Sequence, residues 1–381
     1  MTTFTITDCS NDSQLQEFIK YATDGDTIIF ACSGMITLTS TLAIKWKGLS
    51  AAGLTLDGNG NVVVLDGGKQ MGVFLVEDMP LLLKGLTIVN GKAERGGGLF
   101  SARGKITITY CTFSGNEAAK SGGGLFNEEG EVSISHCIFS GNAVQHGGGL
   151  FNRGGKVSIT NCTFSGNEAA GSGGGLFNNQ KGEVSIGHCT FSDNTAQHGG
   201  GLANEGRLSI TNCTIAGNTA RGWGGGFSNN FGSDVSISHS TIVNNTASVA
   251  GGLHTGYPPL HMGSTIVANN TAQFSKQQNG CRDVISFGFN LESGDDCLYA
   301  FTRTDQFNLD PTLDPTGLQN NGGPTQTIAL QAGSPAIGAV TEEVYCPDID
   351  QRGWLRPPGI TSCDVGAYQS SYLAPPAPPS P

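Results

Sequence analysis

Short apolar runs separated by glycine return along most of this chain, in two phrases that are out of step with each other. GGGLFN begins at Gly122, returns at Gly147 and Gly173, and continues as GGGLAN from Gly199 and GGGFSN from Gly224. CTFSGN begins at Cys111 and returns as variants from Cys137, Cys162, Cys189 and Cys213, then as STIVNN from Ser240 and STIVAN from Ser264. The spacings are 26, 25, 27, 24, 27 and 24 residues. Each repeat holds three short extended runs: GGLFN, a Val-x-Ile run such as Val132 to Ile134, and the Cys-x-Phe run. None is long enough for a helix, and glycine corners divide them. Three such strands in about 26 residues make one turn of a solenoid. The expected fold is all-β: a single-domain right-handed parallel β-helix of about ten coils, about 50 Å long at the rise of one strand spacing per coil.

Columns that stay apolar should point inward and columns that vary should point outward. Leu99, Leu125, Leu150, Leu176, Leu202, Phe227 and Leu253 form one inward column; Phe113, Phe139, Phe164, Phe191, Ile215, Ile242 and Ile266 form another. The Cys column also reads as inward, with Ser240 and Ser264 as small replacements. Asn116, Asn142, Asn167, Asn194, Asn218, Asn245 and Asn269 read as a structural Asn ladder, because Asn accepts left-handed backbone and bonds along stacked turns.

The ends differ from the middle. Residues 1–34 form an N-terminal cap, in which Asn11, Asp12 and Ser13 precede Leu15, Phe18, Ile19 and Ala22 at helical spacing. Residues 35–90 are degenerate first coils, 91–271 the regular repeats, 272–370 the terminal coils and C-terminal cap, and 371–381 a Pro-rich tail. Eleven Cys divide into five in the column and six near the ends. Local disulfides Cys9–Cys32, Cys281–Cys297 and Cys346–Cys363 are expected, which favours an oxidising compartment. Spacing alone leaves reduced thiols open as the alternative.

Composition narrows the function. The 58 Gly carry no collagen period, 13% of residues are charged and the net charge is −11. No basic block suggests a nucleic-acid partner, no transmembrane segment is present, and a monomer is expected. The first twenty residues lack a secretory signal, so either a signal has been removed or export takes another route.

The phrases FSGN and GGGL resemble the FxxN and GGA-[ILV] repeats of the chlamydial polymorphic outer-membrane proteins over residues 91–271. SQLQEFIKYATDGDTIIF at 13–30 resembles the CSLREA-type start of bacterial surface β-helix proteins. FGFNL at 287, DPTL at 311, NGGPTQTIALQAGSPAIG at 321, DQRGWLRP at 350 and CDVGAY at 363 resemble their choice-of-anchor Q-type end. The resemblance implies a secreted or surface-displayed β-helix, with adhesion as the role of the chlamydial relatives. The chain shows neither the membrane β-barrel nor the sorting signal of those relatives.

Candidate chemistry is sparse. Near-constant coil length leaves no long insertion to wall an active site, which points away from an enzyme. Asp193 with His198 is the one carboxylate–imidazole pair a lyase or hydrolase reading could use, and a solvated corner is the plainer reading. No cofactor is expected; Asp305, Asp310 and Asp314 are the residues that could hold a structural calcium. Two outward columns remain as binding surfaces. Phe100, Phe126, Phe151 and Phe177 form a stripe that either meets a partner or is shielded by a neighbouring corner. Thr112, Thr163, Thr190, Thr214, Thr241 and Thr265 form a Thr face. The leading expectation is a non-catalytic, adhesin-like or structural protein binding a cell-surface glycan or protein. A polysaccharide lyase or glycoside hydrolase and, for the Thr face, an ice-binding protein are the alternatives.

Overall fold

The computed structural model describes residues 1–45, 52–230, 234–256, 259–274, 278–280, 284–294, 296, 302–355 and 357–373. It is a parallel β-solenoid, and each regular coil runs through four short strands, one more than the sequence suggests. In the coil that opens at Leu99 they are Leu99–Ala102, Lys105–Thr109, Thr112–Ser114 and Glu117–Ser121. Among the described residues, equivalent strands pair into sheet I of nine strands, sheet II of twelve, sheet III of eleven and sheet IV of eight. Sheet IV is missed in the sequence because its strands, such as Glu168–Ala169, are too short and polar to show alternation.

The inward columns stack in register. Leu99 pairs with Leu125, and Phe113 with Phe139. The Phe113, Phe139, Phe164 and Phe191 rings lie 4.7–4.9 Å apart and nearly parallel, the distance that strand pairing imposes. The glycine triplet lets the chain turn from sheet IV into sheet I. Gly122 has φ +65, and a Cβ on Gly124 would lie 2.5 Å from the Gly149 carbonyl oxygen.

The Cys column does more than fill small spaces. The Cys137 amide donates to Cys162 Sγ at 3.3 Å, and the Cys137 thiol donates to the Ser135 carbonyl at 3.1 Å. Ser240 repeats both bonds, accepting from the Cys213 amide and donating to the Ser238 carbonyl. The column thus selects a small side chain that can both accept and donate, since a buried amide left alone is costly. All five thiols are free and buried. Burial, then the neighbouring Cys162 and Cys213 thiols, pushes the Cys189 thiol well above its ordinary pKa.

The coil that opens at Leu253 stands one residue out of step with its phrase. Thr241 pairs with Ile266 and Ile242 with Val267. Ser264 takes the left-handed corner, φ 51, that His239 takes one coil earlier, φ 46. Thr265 therefore replaces the Cys, Val267 rather than Ile266 joins the main core, and Asn270 rather than Asn269 continues the ladder, donating on to Asn279 Oδ1.

At the N-terminus the helix Ser13–Tyr21 buries Leu15, and Phe18 stacks on Phe4 at 5.0 Å. Asp12 does not cap it through its side chain; its carboxylate accepts from the Thr39 amide and hydroxyl. The Cys9–Cys32 disulfide ties this cap to the first coil. Cys346–Cys363 is also formed, while Cys281 and Cys297 lie outside the described residues.

The described residues of the C-terminal segment, 311–355 and 357–373, fold back along sheet III as a strap. Ile328, Ala336, Val340, Val365 and Tyr372 of the strap form a second core with Ala216, Val243, Ile266 and Ala268 of the coils. The DQRGW and CDVGAY residues build the strap's own framework. Arg352 is buried against Asp350 at 2.6 Å and lies between the Trp354 and Tyr368 rings at 3.7 and 3.9 Å.

Cys189→Ser should leave stability nearly unchanged, whereas Cys189→Ala, which orphans the Cys162 amide, should cost about 1–3 kcal/mol. Denaturant midpoints of the two variants check this, and equal losses would contradict it.

Candidate functional site

The seam between sheets IV and I decides the fate of the Phe stripe. Phe100 is half-buried, but Phe126, Phe151 and Phe177 are 1%, 6% and 5% exposed. Phe100, Phe126 and Phe151 stack at 5.4 and 5.2 Å, and Phe177 meets Phe151 edge-on at 5.1 Å and 84°. The IV–I corner doubles back over them: the Arg95 guanidinium lies 5.6 Å from the Phe126 ring, and the His146 ring lies 5.7 Å from Phe177. Of the two expectations for the stripe, the burial fits the shielded seam, open at Phe100 alone of the four. Where the column shrinks to Ala203 and Ser228, the corner residue becomes His198 or Trp223, whose rings stack at 4.6 Å.

The corner histidines are pinned by backbone. His146 Nδ1 accepts from the Ser172 amide at 3.0 Å, and His198 Nδ1 from the Trp223 amide at 3.3 Å. Gly171 and Gly222 make room, since a Cβ there would lie 2.3 and 2.5 Å from the respective imidazole Cε1 atoms. An Nδ1 acceptor fixes the neutral tautomer with its proton on Nε2. Burial lowers the pKa of both rings. Asp193 lies at the opposite end of the short strand Thr195–Ala196, in a left-handed corner with φ 56. Among the described residues no hydrogen bond or ion pair joins it to His198, so the two do not form an acid–base pair.

The Thr face is divided. Thr190 and Thr214 are fully buried because the strap lies on them. Thr190 donates to the Gln326 carbonyl and Thr214 to Gln351 Oε1, each at 2.6 Å. Gln351 Nε2 reaches the Cys189 carbonyl, Thr190, Thr325 and the Gln326 carbonyl. At the neighbouring II–III corner, His188, Asn212 and His239 bond the carbonyls of Asp350, Ile349 and Tyr345, one contact per coil. Thr265 points inward, as described above. Thr163 remains on the uncovered half, which continues through Ile138, Thr112, Thr87 and Val64 to Met35. Ile138 and Met35 are 45% and 55% exposed. Beside them run the half-buried Ser114, Ser140 and Ser165.

Several carboxylates on the coil faces pair with cations. Along the edge of sheet II, Lys105, Glu131, Lys156, Glu183 and Arg207 alternate in sign from coil to coil. Glu128 meets Arg153 at 3.0 Å, and Glu77 meets Lys45 at 2.9 Å. Asp310 and Asp314 line one pocket with Asn244 and Asn269, but each carboxylate accepts from an amide of its own turn. Asp305 turns instead to Asn290 and Ser286. Among the described residues no three His, Cys, Asp or Glu side chains converge as metal ligands.

This four-sheet parallel architecture is that of the right-handed β-helix proteins, and the chain belongs to the right-handed β-helix region family, whose model matches residues 26–173 and 99–281. A solved relative in fold is the crystal structure of pectate lyase Pel9A, with a TM-score of 0.56 over 97% of this chain and 96% of that one. At 13% identity the likeness is one of fold. A search of curated proteins finds no match. The two disulfides suggest an extracellular protein. Among the described residues no helix is long and apolar enough to cross a membrane.

The pinned histidines make stability depend on pH. Their folded pKa lies below the ordinary 6.5. As pH falls through that value the unfolded chain takes up protons that the native one refuses, so stability declines, and it levels off below the folded pKa. His188, His239 and His254, also lowered chiefly by burial, add to the effect. Thermal midpoints should drop between pH 8 and pH 5, and the drop should shrink in the His146→Gln/His198→Gln double variant. An unchanged drop would contradict the pinned neutral rings.

Proposed function

We propose that this chain is a non-catalytic, secreted or cell-surface β-helix that holds an extended glycan against the uncovered half of sheet III. The observation that carries the reading is the end of the strap: Thr190 and Thr214 lie under it, while Thr163, Ile138 and Thr112 of the same sheet stay open. Hydroxyls there recur at one-coil spacing, and Ser140 donates to Ser114 at 3.1 Å, so the row is pre-ordered. A flat row of hydroxyls and short apolar groups suits a polymer that offers the same in repeat. The ion pairs Glu77–Lys45, Glu94–Lys120 and Glu128–Arg153 hold carboxylates in structural contacts, which supports binding without bond cleavage, since general acid–base hydrolysis needs two carboxylates set to work on one bond. The resemblance of FSGN and GGGL to the chlamydial repeats supports display at a surface and an adhesive role.

A glycan array read together with a reducing-end release assay tests the reading. Binding without released ends is expected, with loss of binding in Ile138→Lys/Thr163→Lys at unchanged circular dichroism. Released ends, or binding indifferent to that double variant, would contradict it.

A further inference from the structure

The strongest unassigned feature is a cleft at the open end of the aromatic seam. Sheet IV begins only at Lys92–Arg95; the preceding coil passes from Val63–Asp66 of sheet III to Phe74–Glu77 of sheet I without a sheet IV strand. The corner that shields Phe126 therefore has no counterpart beneath Phe100. The result is a cleft of about 440 Å³ lined by Thr41, Leu75, Glu77, Ala93, Arg95 and Phe100, among others. That volume lies within the range of small-ligand sites, about 300–1,000 Å³.

The geometry points to a second binding site, one that takes a pyranose residue of a neutral glycan. Phe100 is the last ring of its stack. One face meets Phe126 at 5.4 Å and 12°, and the register neighbour on the other side is the half-buried, non-aromatic Leu75. The part of the Phe100 ring left exposed beside Leu75 lines the cleft, and an aromatic surface of this kind receives the axial C–H face of a sugar ring, by dispersion and by the negative face of the ring. Arg95 and Glu77 then stand at the sides as donor and acceptor for ring hydroxyls. Arg95 lies against the Phe126 ring and has a long contact with Glu128, 3.8 Å, which leaves guanidinium N–H groups to offer. Glu77 is held by Lys45 at 2.9 Å, which orients the carboxylate while leaving lone pairs.

The charge balance selects a neutral ligand. Glu94 at the rim is paired with Lys120 and Glu77 with Lys45, while Arg95 shares Glu128 with the closer Arg153. The lining sets two carboxylates, Glu77 and Glu94, against one guanidinium, Arg95, and the chain as a whole is at −11, which disfavours a polyanion. The site lies on the sheet I side of the rod and does not depend on the open half of sheet III.

Calorimetric titration of the full chain with cellohexaose, xylohexaose, mannohexaose and chitohexaose, and with oligogalacturonate as the anionic arm, tests the site. Binding of at least one neutral hexasaccharide is expected. Phe100→Ala should weaken it about tenfold, the loss of one aromatic stack; Phe100→Trp should retain it and Arg95→Gln should weaken it. Ile138→Lys/Thr163→Lys should leave it unchanged, which separates this site from the sheet III surface. No binding by any neutral hexasaccharide, binding of oligogalacturonate alone, or binding that Phe100→Ala leaves intact while Phe100→Trp is folded would overturn the assignment.

Discussion

A buried amide ladder at the corner between sheets III and IV holds each coil to the next. Asn194 shows the pattern: Oδ1 accepts from both the amide and Nδ2 of Asn167, and Nδ2 donates to the Phe164 carbonyl and to Asn218 Oδ1. The same bonds run from Asn116 through Asn142, Asn167, Asn194, Asn218 and Asn245 to Asn270. A second ladder, Asn127, Asn152, Asn178, Asn204 and Asn229, runs inside the turn from sheet I to sheet II. An Asn whose neighbours above and below are also Asn satisfies all its polar atoms only at one spacing and one register. That constraint keeps the Phe rings stacked and the coils alike.

Uniform coils leave function to the places where uniformity breaks. Two breaks matter. The strap lies on the last coils of sheet III and turns their Thr side chains from solvent-facing groups into anchors. The late start of sheet IV leaves the first ring of the aromatic seam uncovered. Both breaks come from non-repeating segments placed against repeating ones, so each creates a surface that the repeat alone does not contain.

The repeat, its inward Leu and Phe columns and the disulfides Cys9–Cys32 and Cys346–Cys363 were legible in the sequence, because periodic burial and local Cys spacing leave direct traces. The Phe column was harder. A position that accepts Phe, Ala, Ser and His reads as outward, and it is; what covers it is a corner whose path depends on Gly122 and Arg95, invisible to alternation. The second Asn ladder was present in every GGGLFN phrase, yet its inward direction required knowing that two residues past the Leu the chain still faces the core. The phrase STIVAN points to Asn269 by identity, whereas the structure matches corners by backbone conformation and puts Asn270 in the ladder. The burial of Thr190 and Thr214 could not be read at all, since it rests on Gln326 and Gln351, more than a hundred residues away.

The central claim is that coil-to-coil stacking depends on the amide ladder, and equilibrium denaturation of Asn194→Ala tests it most directly. The variant leaves the Asn167 amide, Asn167 Nδ2, the Phe164 carbonyl and Asn218 Oδ1 each short of a partner inside the core. The account predicts a loss of at least about 3 kcal/mol. A variant as stable as the parent protein, with an unchanged denaturant midpoint, would contradict it.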